Sequence, residues 1–484
     1  MLKVFFENGI YNNYVGGEWI ESQDNQYIDI VSPIDNSLIG RVSAMKTEDI
    51  DRAIRAASLA QKSWRYTTIS ERRDIMLKAA DILAREKDLF VDLLIREVSK
   101  DKKSAVSEVL RTVDLIRYTA NAAANILGEY IPGDSFPGYN KGKKALVNRE
   151  PLGVILAISP FNYPINLAAS KIVPAIMAGN TVVFKPATQG AISGINLVNI
   201  FVEAGLPVGV LNSITGRGSE IGDYSVTHKG IAMINFTGST EIGTRISEIT
   251  KMTPLLMELG GKDAAIVLDD CDLEEASNQI VSGAFSYSGQ RCTAIKRVLV
   301  QDKIADELVN KLKCKIEELK CGNPLQEQVD IVPLIDDKSA DFIEELIKDS
   351  QSRGAVLITG GNRKDKLIYP TLFDKVTLDM RLAWEEPFGP ILPVIRVKDI
   401  DEAIDVSNAS KYGLQGSIFT SDIDKAFYIA DRLEVGTVQI NNKTERGPDN
   451  FPFLGIKASG IGTQGIRESM ISMTRSKVTV LNLK

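Results

Sequence analysis

The chain has 484 residues, 44% hydrophobic and 25% charged, with a formal net charge of −6, which excludes wholesale disorder and argues against a broad basic surface for nucleic acid. A single histidine, His228, and four cysteines at 271, 292, 314 and 321 exclude a histidine-rich metal site within one chain, so no metal is expected. Any histidine-assisted catalysis would have to run through His228.

At about 150 residues per domain the length suggests roughly three domains. The opening residues carry Glu7 and no sustained apolar core, so no secretory leader is expected. The early part reads as helical. Thr47 is placed to cap a segment with Ile50, Ala53, Ile54, Ala57 and Ala60 on one face, and Ser70 to open a second with Ile75, Ala79, Ile82 and Leu83 inward. Segment 126–150 is rich in Gly, Pro and Lys and interrupts this block.

From 150 the pattern changes to short apolar runs at 154–158, 181–184, 211–214 and 231–236, with helical stretches near 165–178, 189–204 and 240–251. Strands buried on both faces and separated by helices predict a parallel, doubly wound sheet, with its ligand at the carboxyl ends of the strands. A second alternation follows at 264–268, 272–287 and 297–300. The tail at 477–483 alternates like a strand after a Gly-rich connection at 455–465; it and segment 126–150 need β partners, either each other or another subunit. No apolar run approaches the roughly 18 residues of a membrane span, and four cysteines make no disulfide framework. A cytoplasmic protein without membrane or nucleic-acid partners is the default.

Two Gly-rich turns, Gly216 to Gly222 through Gly218 and Gly238-Ser239 to Gly243, each follow an apolar run and open a helix, where backbone N–H groups favour a phosphate. Lys185 and Thr188 follow the second run with no nearby acid, which suits a ribose 2′-phosphate and so leans towards NADP. Cys292 stands beside Arg291, a cation that favours the nucleophilic thiolate. Without a partner histidine the thiol needs another base. Glu258 sits among apolar residues before a Gly-Gly turn, where burial would raise its pKa towards that of a base. Asn162, between two prolines, can donate an amide hydrogen to a developing oxyanion. Together these residues suggest aldehyde oxidation through a thioester; singly, each also fits a turn, a strand end or a small buried side chain.

The stretches Pro160-Phe161-Asn162-Tyr163-Pro164, 236–239, 258–262, 289–292, 386–390 and Pro452-Phe453 resemble the aldehyde dehydrogenase superfamily, in its motif order and over essentially the whole chain. Segments 185–190, 214–224, 283–297 and 440–451 look most like its non-phosphorylating, NADP-dependent branch acting on glyceraldehyde 3-phosphate; Ala187 departs from it where a second proline is expected. The resemblance implies an α/β, aldehyde dehydrogenase-like fold. It has a doubly wound parallel-sheet NADP-binding domain at 1–125 and 151–258, an α/β catalytic domain at 259–455, and a small β bridging or oligomerisation element at 126–150 and 466–484.

By resemblance, Cys292 attacks the aldehyde, the Asn162 amide and the Cys292 N–H hold the oxyanion, and Glu258 activates water. Lys185 and Thr188 would hold the 2′-phosphate and Ser239 the pyrophosphate, with Gly218 and Gly238 in the cofactor turns, Glu386 on the nicotinamide ribose and Phe388 nearby. Arg111, Arg291, Arg446 and the Tyr163 hydroxyl would form the substrate phosphate pocket, unless those arginines pair with carboxylates such as Glu108 or Glu445. Arg117 is close enough to Arg111 to be confused with it, and Arg217 reads equally as a cofactor contact or a solvated residue. A homotetramer of paired dimers is implied. Competing readings are another small aldehyde (glyceraldehyde, lactaldehyde or succinate semialdehyde), a non-catalytic protein of the same fold, and a phosphorylating mechanism with His228 as base.

Overall fold

In the computed structural model, residues 9–126 and 128–483 are described; the opening residues 1–8, on which the leader expectation largely rests, lie outside the described residues. The first described elements are β structure rather than helix. Ile10–Tyr11, Leu38–Ser43 and Tyr27–Val31 form a three-stranded sheet in that order, and Asn13–Val15 pairs with Glu18–Ile20. The two- and three-residue strands hold too few residues for a periodic pattern, and Asp29 and Arg41 keep Tyr27–Val31 and Leu38–Ser43 from reading as continuous apolar runs. The helices Thr47–Trp64, Ile69–Arg85, Lys87–Val98 and Lys102–Ala122 follow. Their first two caps lie before the expected residues. Asp49 accepts the Lys46 N–H at 3.0 Å, and Thr68 and Glu71 form a reciprocal capping box that satisfies two end N–H groups.

The first large sheet runs in the order Leu211–Ser213, Thr181–Lys185, Val154–Ile158, Met233–Thr237, Leu255–Glu258, Gly460–Ile461; all neighbours are parallel except the last pair. Alternate strand residues enter two separate cores. Ile155, Ala157, Val182 and Phe184 face Asn166–Met177 and its neighbouring helices, while Val154, Leu156, Val183 and Ile234 face the side of Thr47–Trp64. Covering both faces explains why these strands read as continuous apolar runs. Strand order reverses between Val154–Ile158 and Met233–Thr237, so their carboxyl ends open a crevice at the switch point. Asn162 and Ser239 follow those two ends.

The second sheet runs Val356–Thr359, Thr371–Asp374, Ile391–Val397, Arg297–Gln301, Ala264–Val267, Gln415–Phe419, Thr437–Ile440, with only the first strand antiparallel. The two sheets adjoin in sequence through 259–263, so Glu258 ends one just before the other begins. The tail strand Thr474–Asn482 pairs antiparallel with Lys143–Pro151, which pairs with Glu129–Pro132. The segment 466–484 is not all part of that sheet: helix Ile466–Ser472 buries Ile466 and Met470, which join Met473 in the core under the first sheet. Among the described residues no helix is long and apolar enough to cross a membrane.

Candidate active site

Cys292 follows a strained turn. Tyr287, Ser288 and Gly289 are consecutive left-handed residues, at φ 51°, 53° and 70°. A Cβ at position 289 would lie 2.4 Å from the Gly389 carbonyl oxygen, so the position requires glycine. Strain of this kind persists only where the surroundings overdetermine it. Tyr287 Oη donates to Val98 O at 2.7 Å, Ser288 Oγ donates to Val332 O at 2.9 Å, and Gln290 Oε1 accepts the Ile335 N–H at 3.0 Å. The Gln290 carbonyl accepts from Asn162 Nδ2 at 2.9 Å, which brings the predicted oxyanion donor to the cysteine turn. Asn162 is itself held by Lys100 Nζ, 2.7 Å from its carbonyl oxygen.

The charge around the thiol differs from the expectation. Arg291 turns away, donating from Nη2 to Gly283 O, and its Nε has no partner among the described residues. The cation that acts on Cys292 is Lys296, which donates to the Cys292 carbonyl and lies 2.8 Å from Glu386 Oε1. Burial nevertheless pushes the thiol up to about 11, with Lys296 pulling it down and Glu258, Asp263 and Glu386 pushing it further up.

Glu258, at the end of its strand, does not sit in purely apolar surroundings. Arg446 Nη1 lies 2.8 Å from both carboxylate oxygens, and Thr237 Oγ1 donates to Oε2 at 3.2 Å. Lys171 Nζ donates to the same hydroxyl at 2.6 Å. Burial holds Lys171 down at about 8, with Glu258 pulling it back up. Sequence reasoning did not single out Lys171. The available signal was a lone charge in the buried helix Asn166–Met177, a placement that proteins rarely tolerate without a role.

Arg111 binds Asp449 through Nε and Nη2, both at 2.7 Å, and Asp449 lies 3.6 Å from Arg446 Nε. The carboxylates facing these arginines are therefore Asp449 and Glu258. Glu108 pairs with the buried Lys100, and Glu445 lies 3.8 Å from Lys443. Arg117 points elsewhere, to the exposed Asp81. Arg111 and Tyr163 line a cleft of about 540 Å³ together with Ser104, Ser282 and Lys443. The Tyr163 ring lies over Lys100 Nζ at 3.8 Å.

On the cofactor side, Lys185 is 7% exposed, and among the described residues no carboxylate pairs with it. Burial pulls its ammonium down to about 8. A buried, unneutralised cation at a strand end suits an incoming anion. Thr188 follows in the turn before helix Ala191–Glu203. Gly218 opens helix Gly218–Thr227, and a Cβ there would meet nothing within 4 Å. Gly238 precedes Ser239, the cap of Thr240–Ile249. Glu386 accepts the Gly261 N–H at 3.1 Å, and Phe388 packs edge-on against Phe161 with ring centroids 5.9 Å apart. Arg217 is exposed and 4.0 Å from Glu220.

A family model described as the aldehyde dehydrogenase family matches residues 19–479. The chain belongs to the aldehyde dehydrogenase family. Its fold is the one shared by solved members. A relative from Streptococcus equinus, named NADP-dependent glyceraldehyde-3-phosphate dehydrogenase, is 54% identical over 98% of this chain and 99% of its own. One of the same name from Pisum sativum is 48% identical over 100% and 97%. The crystal structure of the NADP-dependent glyceraldehyde-3-phosphate dehydrogenase from Bacillus halodurans C-125 complexed with NADP superposes with a TM-score of 0.97 at 57% identity, covering 98% of this chain and 99% of that one. Asn162 bonds to the carbonyl of Gln290, two residues before Cys292, and Glu258 lies near enough to Cys292 to push its thiol up.

Proposed function

We propose that this aldehyde dehydrogenase oxidises D-glyceraldehyde 3-phosphate to 3-phosphoglycerate with NADP and water, irreversibly and without an acyl-phosphate product. The observation that carries the reading is Arg446, which touches Glu258 and shares Asp449 with Arg111. Guanidinium groups suited to a phosphate dianion thus adjoin the candidate base. The names of the relatives at 54% and 48% identity support the same substrate and cofactor.

Cys292 Sγ adds to the aldehyde carbon as the thiol passes its proton to solvent, leaving the former carbonyl oxygen as the oxyanion. One Asn162 N–H is committed to Gln290, which fixes the amide so that the other, with the Cys292 N–H, can meet the oxyanion. NADP, when bound, supplies the hydride acceptor that turns the thiohemiacetal into a thioester. Lys185 and Thr188 would hold its 2′-phosphate, Ser239 its pyrophosphate and Glu386 its nicotinamide ribose, with Gly218 and Gly238 leaving room in the turns. Glu258 then takes a proton from the water that hydrolyses the thioester. Arg111, Arg446 and Tyr163 receive the substrate phosphate, and Arg291 would join them on leaving the Gly283 carbonyl.

We further assign a homotetramer, working in the cytoplasm. Tyr130, Ile131, Leu146, Val478 and Val480 are exposed on the three-stranded sheet, an apolar surface that a second subunit would cover. All four cysteines are free, as a thiol enzyme in a reducing compartment requires. The test is NADPH formation without inorganic phosphate from D-glyceraldehyde 3-phosphate, D-glyceraldehyde and succinate semialdehyde. Preference for the first supports the assignment, and preference for either of the others replaces it.

A further inference from the structure

Glu258 is held in a way that a general base cannot work through. Both its oxygens lie 2.8 Å from Arg446 Nη1, Thr237 occupies Oε2, and the two charged side chains are only 4% and 12% exposed. The oxygens face a cation where a working base must face water. Arg446 is anchored on its other sides by Gln464 Oε1 at 3.0 Å, by Asp449 at 3.6 Å and by the Phe453 ring, 4.8 Å from its centroid. Asp449 is in turn clamped by Arg111. Charges therefore alternate along one line: Glu258, Arg446, Asp449, Arg111. A dianion arriving at the two arginines competes with both carboxylates for the same donors, and offers more charge and more oxygens than either. Lys171, acting through Thr237, remains beside Glu258 when Arg446 is drawn away.

We propose that Arg446 is a latch on Glu258, closed while no phosphorylated ligand is bound and opened when a phosphate dianion takes the guanidinium. The proposal rests on the function assigned above and adds why thioester hydrolysis waits for a phosphorylated substrate. Once released, Glu258 takes a proton as the water oxygen adds to the thioester carbonyl. The C–S bond breaks, the sulfur returns to Cys292 with the bonding pair, and the carboxylic acid forms; nothing is oxidised or reduced in this step. An unphosphorylated aldehyde reaches the thioester and stalls there. Binding energy from a remote group then appears as rate rather than as affinity.

The test supplies the dianion separately. Wild-type enzyme with NADP is taken through a single turnover of unphosphorylated D-glyceraldehyde, with and without inorganic phosphite. NADPH absorbance follows thioester formation, and the mass of the quenched chain follows thioester decay. Phosphite is expected to accelerate decay saturably by roughly tenfold or more, the equivalent of one charge-assisted hydrogen bond, while leaving formation nearly unchanged. Arg446→Met should lose the phosphite response and hydrolyse its thioester faster than unassisted wild type, because the clasp on Glu258 is gone. Wild-type decay that ignores phosphite, or decay in Arg446→Met no faster than in unassisted wild type, overturns the latch. Turnover of D-glyceraldehyde 3-phosphate by wild type is measured alongside. Its absence would overturn the substrate assignment, whereas the phosphite response bears on the latch alone.

Discussion

Lys296 Nζ lies 2.8 Å from Glu386 Oε1 and also donates to the carbonyl oxygen of Cys292. One buried cation thus ties the nucleophile's backbone to the carboxylate assigned to the nicotinamide ribose. Glu386 is itself packed so closely on Gly260 that a Cβ there would lie 2.1 Å from Oε2, so the arrangement has little freedom to shift. The Cys292 thiol, pushed up to about 11 by burial, has Lys296 as the cation working against that rise, while Glu258, Asp263 and Glu386 add to it. Replacing Lys296 with methionine should displace the pH profile of Cys292 alkylation to higher pH. A displacement of about one pH unit would slow alkylation at pH 8 roughly tenfold. Lys296→Arg should restore most of it. An unchanged profile in Lys296→Met would mean that the lysine only props the loop.

Lys185 gives a pH dependence of the opposite sense. Burial lowers its ammonium to about 8, so the charge is present below that pH and is lost above it. If the ammonium meets a 2′-phosphate, KM for NADP should rise between pH 8 and 9.5 while KM for NAD stays level. Lys185→Met should flatten that rise and weaken NADP by roughly tenfold to a hundredfold, as for one charge-assisted hydrogen bond. Equal pH responses for the two cofactors would move the 2′-phosphate elsewhere.

Glu258→Gln should separate the two halves of the reaction. Its amide can no longer take a proton from water, yet Cys292 and Asn162 are untouched. A burst of one NADPH per active site should survive, with steady-state turnover lower by roughly two orders of magnitude or more. Loss of the burst along with the turnover would place Glu258 in thioester formation instead.

The buried Lys100–Glu108 pair supports the Asn162 turn from below. Both side chains are 0% exposed, and Glu108 Oε1 also accepts the N–H groups of Ile165 and Asn166 at 3.1 Å. Glu108→Ala strands a buried ammonium and should cost about 3–5 kcal/mol, read as a fall in the unfolding midpoint. Breaking the exposed Arg117–Asp81 pair with Arg117→Ala should barely move the midpoint. Similar shifts in the two variants would show that burial is not what makes the first pair matter.

What could be read from the residues was whatever depends on local order. Apolar runs marked four of the six strands of the first sheet to within about two residues, missing Leu255–Glu258 and Gly460–Ile461; the strand-end rule directed attention to Asn162 and Ser239, and the Gly-Gly turn after apolar residues to Glu258. The N-terminal strands escaped because three of them have only two or three residues and the other two, Tyr27–Val31 and Leu38–Ser43, are broken as apolar runs by Asp29 and Arg41. Partnerships between distant segments escaped for another reason: Glu258 and Arg446 are 188 residues apart, and no local pattern tells a base in apolar surroundings from one clasped by a guanidinium group. Arg291 misled for a related reason. Adjacency in sequence to Cys292 suggested a thiolate partner, but its Nη2 goes to the Gly283 carbonyl, a partner no local pattern reveals. Lys296, four residues further on, faces the site instead.

The most direct test of the account is the fate of oxygen. D-glyceraldehyde 3-phosphate and NADP are turned over by wild-type enzyme in ¹⁸O-water, first without and then with inorganic phosphate, and the product is weighed by mass spectrometry. The account predicts 3-phosphoglycerate carrying one solvent oxygen in its carboxylate for every NADPH formed, at a rate that does not need phosphate. An unlabelled acyl phosphate, formed only when phosphate is present, would contradict it.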